Sequence, residues 1–210
     1  MTTATAPGLR ETKKQQTRQE ISDTATRLFI ERGFEPTTIA EIAEAARVAK
    51  KTVTNYFPRK EDLALDHHER FVAVLAETVE SRDDGESALA ALRRRFRAAA
   101  QAHSADVGFS GPDFSRMLAE SPTLTARLRE LHDLREQALA TVLPGDDLLR
   151  RAAAAQFAAA YRLLFERIQE RQLSGATRRR IATAVTAEAE RIFDLLEPAL
   201  GDYGVRGESE

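Results

Sequence analysis

The stretch TIAEIAEAARVAKKTVTNYF, residues 38–57, decides the fold. Thr38 followed three residues later by Glu41 has the spacing of a capping box, so a helix starts at Ile39. Ile39, Ile42, Ala43 and Ala46 recur at helical spacing and give this short helix one apolar face. Arg47-Val48-Ala49 then makes a tight turn. A third helix runs from Lys50 to about Tyr56, and Pro58 stops it. Its edges differ in chemistry. Val53, Tyr56 and Phe57 are apolar, whereas Lys50, Lys51, Thr52, Thr54 and Asn55 are polar or cationic. A helix of this size fits the major groove of duplex DNA, where short polar side chains reach base edges and lysines reach phosphates.

Outward from this unit every element reads as helix. Upstream, Ile21, Ala25, Leu28 and Phe29 mark one buried stripe of a helix from about Lys13 to Arg32, and Gly33 is placed to end it. Downstream, a fourth helix is expected from Lys60 to about Arg82 and a fifth from Glu86 to His103. A Gly-containing loop at 107–112 and a short helix from Asp113 to Ala119 follow. Ser121-Pro122, an N-cap before proline, opens a helix to Val142. Two long helices, Asp146–Leu173 and Gly175–Leu196, end the fold. No useful period-2 alternation appears, so the chain is expected to be all-α with about nine helices. Four segments are expected: a disordered lead (1–12), a helix-turn-helix domain (13–60), a larger helical domain (61–200) and a flexible tail (201–210).

Composition agrees. Of the 210 residues 42% are apolar and 30% charged, as in an ordinary soluble domain, and only 10 Gly and 7 Pro oppose helix. There is no cysteine, which excludes disulfides and thiolate chemistry. No secretory leader or apolar run of spanning length is evident, so a cytoplasmic protein without membrane contact is expected. The net charge of −2 hides an asymmetry: residues 1–60 carry 11 Lys and Arg against 7 Asp and Glu, and the remainder 20 against 26. All five lysines lie in the first segment. A basic end on an acidic body suggests that only the N-terminal part meets a polyanion.

The spaced set Ile21, Leu28-Phe29, Gly33-Phe34, Thr37-Thr38-Ile39, Ile42-Ala43, Ala46, Val48, Thr52-Val53, Tyr56-Phe57, Lys60 and Leu63 resembles the DNA-binding domain of TetR-family regulators. The resemblance covers about 13–71 without a gap. It implies a three-helix head whose third helix is the recognition helix. By position, Thr38, Thr52, Tyr56 and Lys60 would contact phosphates or the nearby backbone. Lys50, Lys51, Thr54 and Asn55 would read bases, and Lys13, Lys14 and Arg18 resemble a basic arm preceding the first helix. Ala49 stands where the family usually has a capping Ser, and Thr54 where it often has Tyr. The segment Arg116–Leu124 resembles an actinobacterial subgroup that includes a mycofactocin-system regulator.

The resemblance further implies a ligand-binding and dimerisation body, and so a homodimeric repressor released from a palindromic operator in double-stranded DNA by a small-molecule effector. Phe71, Phe96, Met117, Leu128, Phe157, Tyr161 and Phe165 are the bulky residues expected around the pocket, and they suit a largely apolar or aromatic ligand. Ala152, Ala153, Ala159, Ala160, Ile181, Val185, Ile192 and Leu196 are expected at the interface between subunits. No catalytic motif, metal site or cofactor is expected. Adjacent His67 and His68 point apart, and the runs Arg93–Arg95 and Arg178–Arg180 read as solvated faces. The competing reading is a helical scaffold or enzyme that keeps only a helix-turn-helix shape.

Overall fold

A computed structural model describes residues 8–207. Among these, ten α-helices and no strand are present. The head comprises α1 (Leu9–Arg32), α2 (Ile39–Ala45), α3 (Lys50–Tyr56) and α4 (Glu61–Ala64). The body comprises α5 (His68–Glu80), α6 (Ala88–Gln101), a 3-10 turn (Ala105–Val107), α7 (Pro112–Glu120), α8 (Pro122–Val142), α9 (Asp147–Leu173) and α10 (Arg178–Leu200).

The expected all-α class and the order of elements hold. The expected fourth helix does not run unbroken: it divides between α4 and α5 at Leu65–His67. No Pro or Gly marks this break. Its cause is tertiary. Ser22 on α1 donates to the Asp66 carboxylate at 2.6 Å, and Arg18 Nη2 donates to the Asp66 carbonyl at 3.2 Å. Both bonds draw residue 66 toward α1 and out of helical register. The first helix starts at Leu9 rather than Lys13, so Lys13 and Lys14 stand on α1 itself rather than on an arm ahead of it. Residues 1–7 of the expected disordered lead lie outside the described residues.

Two cores form. In the head, Ile21, Ala25, Leu28 and Phe29 of α1 pack with Phe34, Ile42, Val53, Phe57 and Leu63. Met117, Leu118 and Leu124 of α7 and α8 join this same cluster, so head and body share apolar contact. Leu63 and Ala64 pack with the head, which carries its packing past the expected boundary at residue 60. In the body, α6, α9 and α10 bury Leu92, Phe96, Phe157, Tyr161, Val185 and Phe193.

The expected loose tail is docked over residues 201–207. Arg206 pairs with Glu86 through its backbone N–H, and its carbonyl accepts from Gly85. Arg206 Nη1 also donates to the carbonyls of Glu80 and Arg82. Residues 208–210 lie outside the described residues. The Arg93–Arg95 run is not a solvated face either: Arg93 and Arg94 bind Glu190 and Glu86, and Arg95 binds Asp106.

Candidate functional site

The α2–α3 unit is built by local chemistry. The Thr38 hydroxyl accepts from the Glu41 backbone N–H at 3.2 Å, and the Glu41 carboxylate accepts from the Thr38 N–H at 2.7 Å. This is the full capping box, and it stabilises the start of α2 by about 1 kcal/mol. At the other end Val48 N–H donates to the Ala43 carbonyl and Arg47 N–H to that of Glu44, closing a Schellman turn. Arg47 occupies the left-handed position there, at φ 55°. That turn sets α3 across α2.

Val53 and Phe57 are fully buried, which fixes the rotation of α3 about its axis. Lys50, Lys51, Thr54 and Asn55 are therefore exposed together, with Thr52 and Tyr56 half-buried at the margins. Ala49 supplies no side-chain cap to α3. The Thr54 hydroxyl turns back to the Lys51 carbonyl at 3.1 Å. Lys13 and Lys14 are exposed on the first turns of α1.

Two of the expected DNA contacts are otherwise engaged. Lys60 Nζ donates to the carbonyls of Phe34 at 2.6 Å and Glu35 at 3.2 Å, and lies 4.2 Å from the Phe34 ring centroid. Its ammonium ties down the α1–α2 loop, and burial lowers its pKa. Arg18 packs over the Phe57 ring at 4.7 Å while holding Asp66, so it braces α1 against the rest of the head.

A cavity of about 760 Å³ lies where head meets body. Ser22, Thr26 and Ile30 of α1 form one wall, and Leu65, His68 and Phe71 a second. Phe114, Leu118, Leu128, Leu131 and Phe165 complete it. Of the seven expected pocket residues, Phe71, Leu128 and Phe165 line this space. Phe96, Phe157 and Tyr161 do not: they pack in the body core, where the Tyr161 hydroxyl donates to the Leu92 carbonyl at 2.7 Å. Met117 packs in the head core. The reason is rotational. These four side chains face neighbouring helices, and apolar periodicity alone does not separate such a face from a cavity wall.

Behind the inner wall sit two polar groups in apolar surroundings. The Phe71 ring makes edge contacts with His132 at 5.1 Å and Phe165 at 6.0 Å. Arg135 is 1% exposed, with its guanidinium carbon 4.4 Å from the Phe71 ring centroid and 5.1 Å from that of Tyr161. Burial lowers its pKa to about 10, which leaves it cationic at neutral pH. Sequence reading passed over it, although an Arg among Leu124, Leu128, Leu131 and Leu139 on one helix stripe was a legible signal.

Burial, reinforced by the Arg135 charge, pushes His132 down to about 3. The unfolded chain takes up a proton near pH 6.5 that the folded chain refuses. Stability should therefore be unaffected by this group above pH 6.5 and fall progressively from there to about pH 3. Between pH 7 and pH 5 the loss is about 2 kcal/mol. His132→Phe should flatten the stability profile over that interval in urea titrations at fixed pH. An unchanged slope would show that His132 is protonated in the fold.

Of the expected interface residues, Ala153, Ala160, Ile181 and Val185 are buried within the chain's own core. Ile192 and Leu196 are half-buried against that core. Ala152 and Ala159 face outward. On the same outer side of α9 lie Leu148, 77% exposed, and Leu163, and on the outer side of α10 Leu195, 78% exposed.

Comparison with known proteins places this geometry. Residues 21–66 match the family model for bacterial regulatory proteins of the tetR family. The HTH-type transcriptional regulator TcmR of Streptomyces glaucescens is 36% identical over 96 residues, 46% of this chain. That match spans only 42% of the relative's length. NalD of Pseudomonas aeruginosa, the secondary repressor of the MexAB-OprM multidrug efflux pump, has a similar fold, with TM-score 0.52 and 20% identity. The superposition covers 90% of this chain and 96% of that one. The TetR-family repressor AlkX of a Dietzia species, implicated in n-alkane biodegradation, is similar at TM-score 0.52 and 17% identity over 89% of this chain and 96% of its own. At these identities the likeness to both structures concerns the fold.

Proposed function

Because the chain belongs to the TetR family of bacterial regulatory proteins, we propose that it is a dimeric, ligand-responsive transcriptional repressor. The observation that carries this reading is α3. Its two buried anchors leave Lys50, Lys51, Thr54 and Asn55 on one free edge, at a size that enters a major groove. Lys50 and Lys51 supply charge to phosphates, and Thr54 and Asn55 short polar groups to base edges. Thr52 and Tyr56 border this edge, Thr38 adds a polar group at the start of α2, and Lys13 and Lys14 add charge from α1.

One short helix contacts too few bases for useful specificity. Two related by a twofold axis read half-sites spaced by a helical turn. The outer faces of α9 and α10 offer the dimer surface. Leu148, Ala152, Ala159 and Leu163 form a stripe along α9, and Ala187 and Leu195 extend it on α10. Small residues there permit close helix packing.

The cavity is the effector site in this reading. Its walls include α1, the α4–α5 junction and α8, so a molecule filling it bears on head and body together. Such a molecule relieves repression only if it binds the non-operator arrangement more tightly than the operator-bound one. No described helix is long and apolar enough to cross a membrane, and the cytoplasm is where such a regulator meets its DNA.

The test is binding to labelled duplex from the DNA flanking the chain's own gene, across a salt series. A dimer that binds with a steep salt dependence supports the proposal. A monomeric protein, or one with no salt-dependent affinity, leaves the scaffold reading in its place.

A further inference from the structure

Next to the Phe71 wall of the cavity lies a buried cation that no carboxylate among the described residues pairs with. Arg135 Nε and Nη2 have no hydrogen-bond partner among the described residues, and Nη1 makes only a long 3.4 Å bond to the Asp106 carbonyl. The Asp106 carboxylate is already occupied: it pairs with Arg95 and accepts from the Ser104 hydroxyl. The other neighbours offer no anion either. His132 is neutral at physiological pH, and the Tyr161 hydroxyl, whose pKa burial raises, is spent on the Leu92 carbonyl. A wholly buried guanidinium with two free donors is expensive to maintain when an apolar side chain of similar volume would fill the same space.

The position of this cation relates it to the cavity. Leu131, one helical turn before it on α8, lines the space, as do Phe71 and Asp106, two of the three residues that the guanidinium meets; the third, Tyr161, belongs to the body core. The Phe71 ring is common to both: it lines the cavity and its centroid lies 4.4 Å from the guanidinium carbon. Turning that ring about its side-chain bonds would open a path from the aromatic chamber to Nε and Nη2. That side-on pair of donors matches the two oxygens of a carboxylate or sulfonate.

We propose that the effector is an amphipathic monoanion, whose apolar or aromatic body fills the chamber while its acidic head displaces Phe71 and pairs with Arg135. This rests on the cavity being the effector site and adds the chemical class of what it binds. It also narrows the expectation of a largely apolar ligand: the apolar walls are as expected, but an acid is required at one end. An uncharged hydrocarbon would leave the guanidinium as it found it and gain nothing from it. The proposal further gives the ligand a lever. Phe71 is on α5, directly after the junction that α1 holds through Ser22 and Arg18, so displacing its ring acts on the mounting of the head.

Two fluorescent probes with the same ring system separate the possibilities. 8-Anilinonaphthalene-1-sulfonate carries an acidic head, and N-phenyl-1-naphthylamine lacks it. Each is titrated into the full-length protein, into Arg135→Met and into Arg135→Lys, with folding of each checked by circular dichroism. The wild type is expected to bind the sulfonate at one site per chain. Arg135→Met should weaken that binding by about tenfold or more while changing the neutral probe by less than about threefold. Arg135→Lys should recover part of the loss, which also covers the case in which the Met variant folds poorly. Equal binding of both probes by the wild type and by either variant would overturn the acidic-head inference and leave the cavity as an effector site. Failure of both probes to bind the wild type would overturn the cavity's role and this inference with it.

Discussion

Lys50→Glu together with Lys51→Glu is expected to abolish specific DNA binding, with a loss on the order of a thousandfold or more and no loss of fold. Both side chains are exposed and make no hydrogen bond or ion pair with other side chains among the described residues, so their replacement should cost the head little. In a dimer the change removes four cations from the DNA-facing edges and adds four anions. The alanine pair gives the quantitative form. If all four lysines neutralise phosphates, the slope of log affinity against log salt should become shallower by about 3 to 4 units. Lys60→Ala is the contrasting control. Its ammonium is held by the Phe34 and Glu35 carbonyls, so its loss should lower head stability by about 1–2 kcal/mol and leave the salt slope unchanged. Anisotropy titrations at several salt concentrations measure both. Equal slopes for the wild type and the Lys50/Lys51 alanine pair would remove α3 from the DNA.

Asp62→Ala is expected to cost about 3 kcal/mol and to disconnect the head from the ligand site. Asp62 is the second residue of α4, and its carboxylate accepts from both Nε and Nη2 of Arg127 on α8, at 3.1 and 2.9 Å. Both side chains are almost fully buried, at 7% and 10% exposure. Removing the carboxylate leaves a buried guanidinium with, among the described residues, the half-exposed Glu130 to answer it. Glu130→Ala, which loses a more exposed partner of the same arginine, should cost far less. The pair is a direct polar strut between α4 and α8. Without it, DNA affinity should no longer respond to a cavity ligand even under conditions where the protein stays folded. Urea denaturation gives the stability, and anisotropy with and without 8-anilinonaphthalene-1-sulfonate gives the response. A cost below 1 kcal/mol with an intact response would show that the strut carries nothing.

The head was legible because its signals are local. The Thr38–Glu41 spacing, the apolar positions of α1 and α2, and Val53 with Phe57 on α3 all act within one or two turns of helix, and each fixes an orientation. Long-range contacts were not legible. Nothing in the sequence around Leu65 announces that Ser22 and Arg18 break the helix there. Lys60 reads as a phosphate ligand from its position before a helix, yet its long stem reaches back to carbonyls 25 and 26 residues away. The body was legible in outline only. Helix α9 carries alanine and leucine on several sides between its charges, so periodicity could not separate residues such as Ala153 and Ala160, which face the chain's own core, from Ala152 and Leu163, which face out. The cavity depends on how six helices meet, and no single stretch of sequence encodes that.

The most direct test is a selection of bound duplexes from a random DNA library, performed with the wild type and with the Lys50/Lys51 glutamate pair. The wild type should enrich an inverted repeat whose half-sites lie one helical turn or a multiple of it apart, and the variant should enrich nothing. Enrichment of an asymmetric site, or the same sequences recovered by both proteins, would contradict the account.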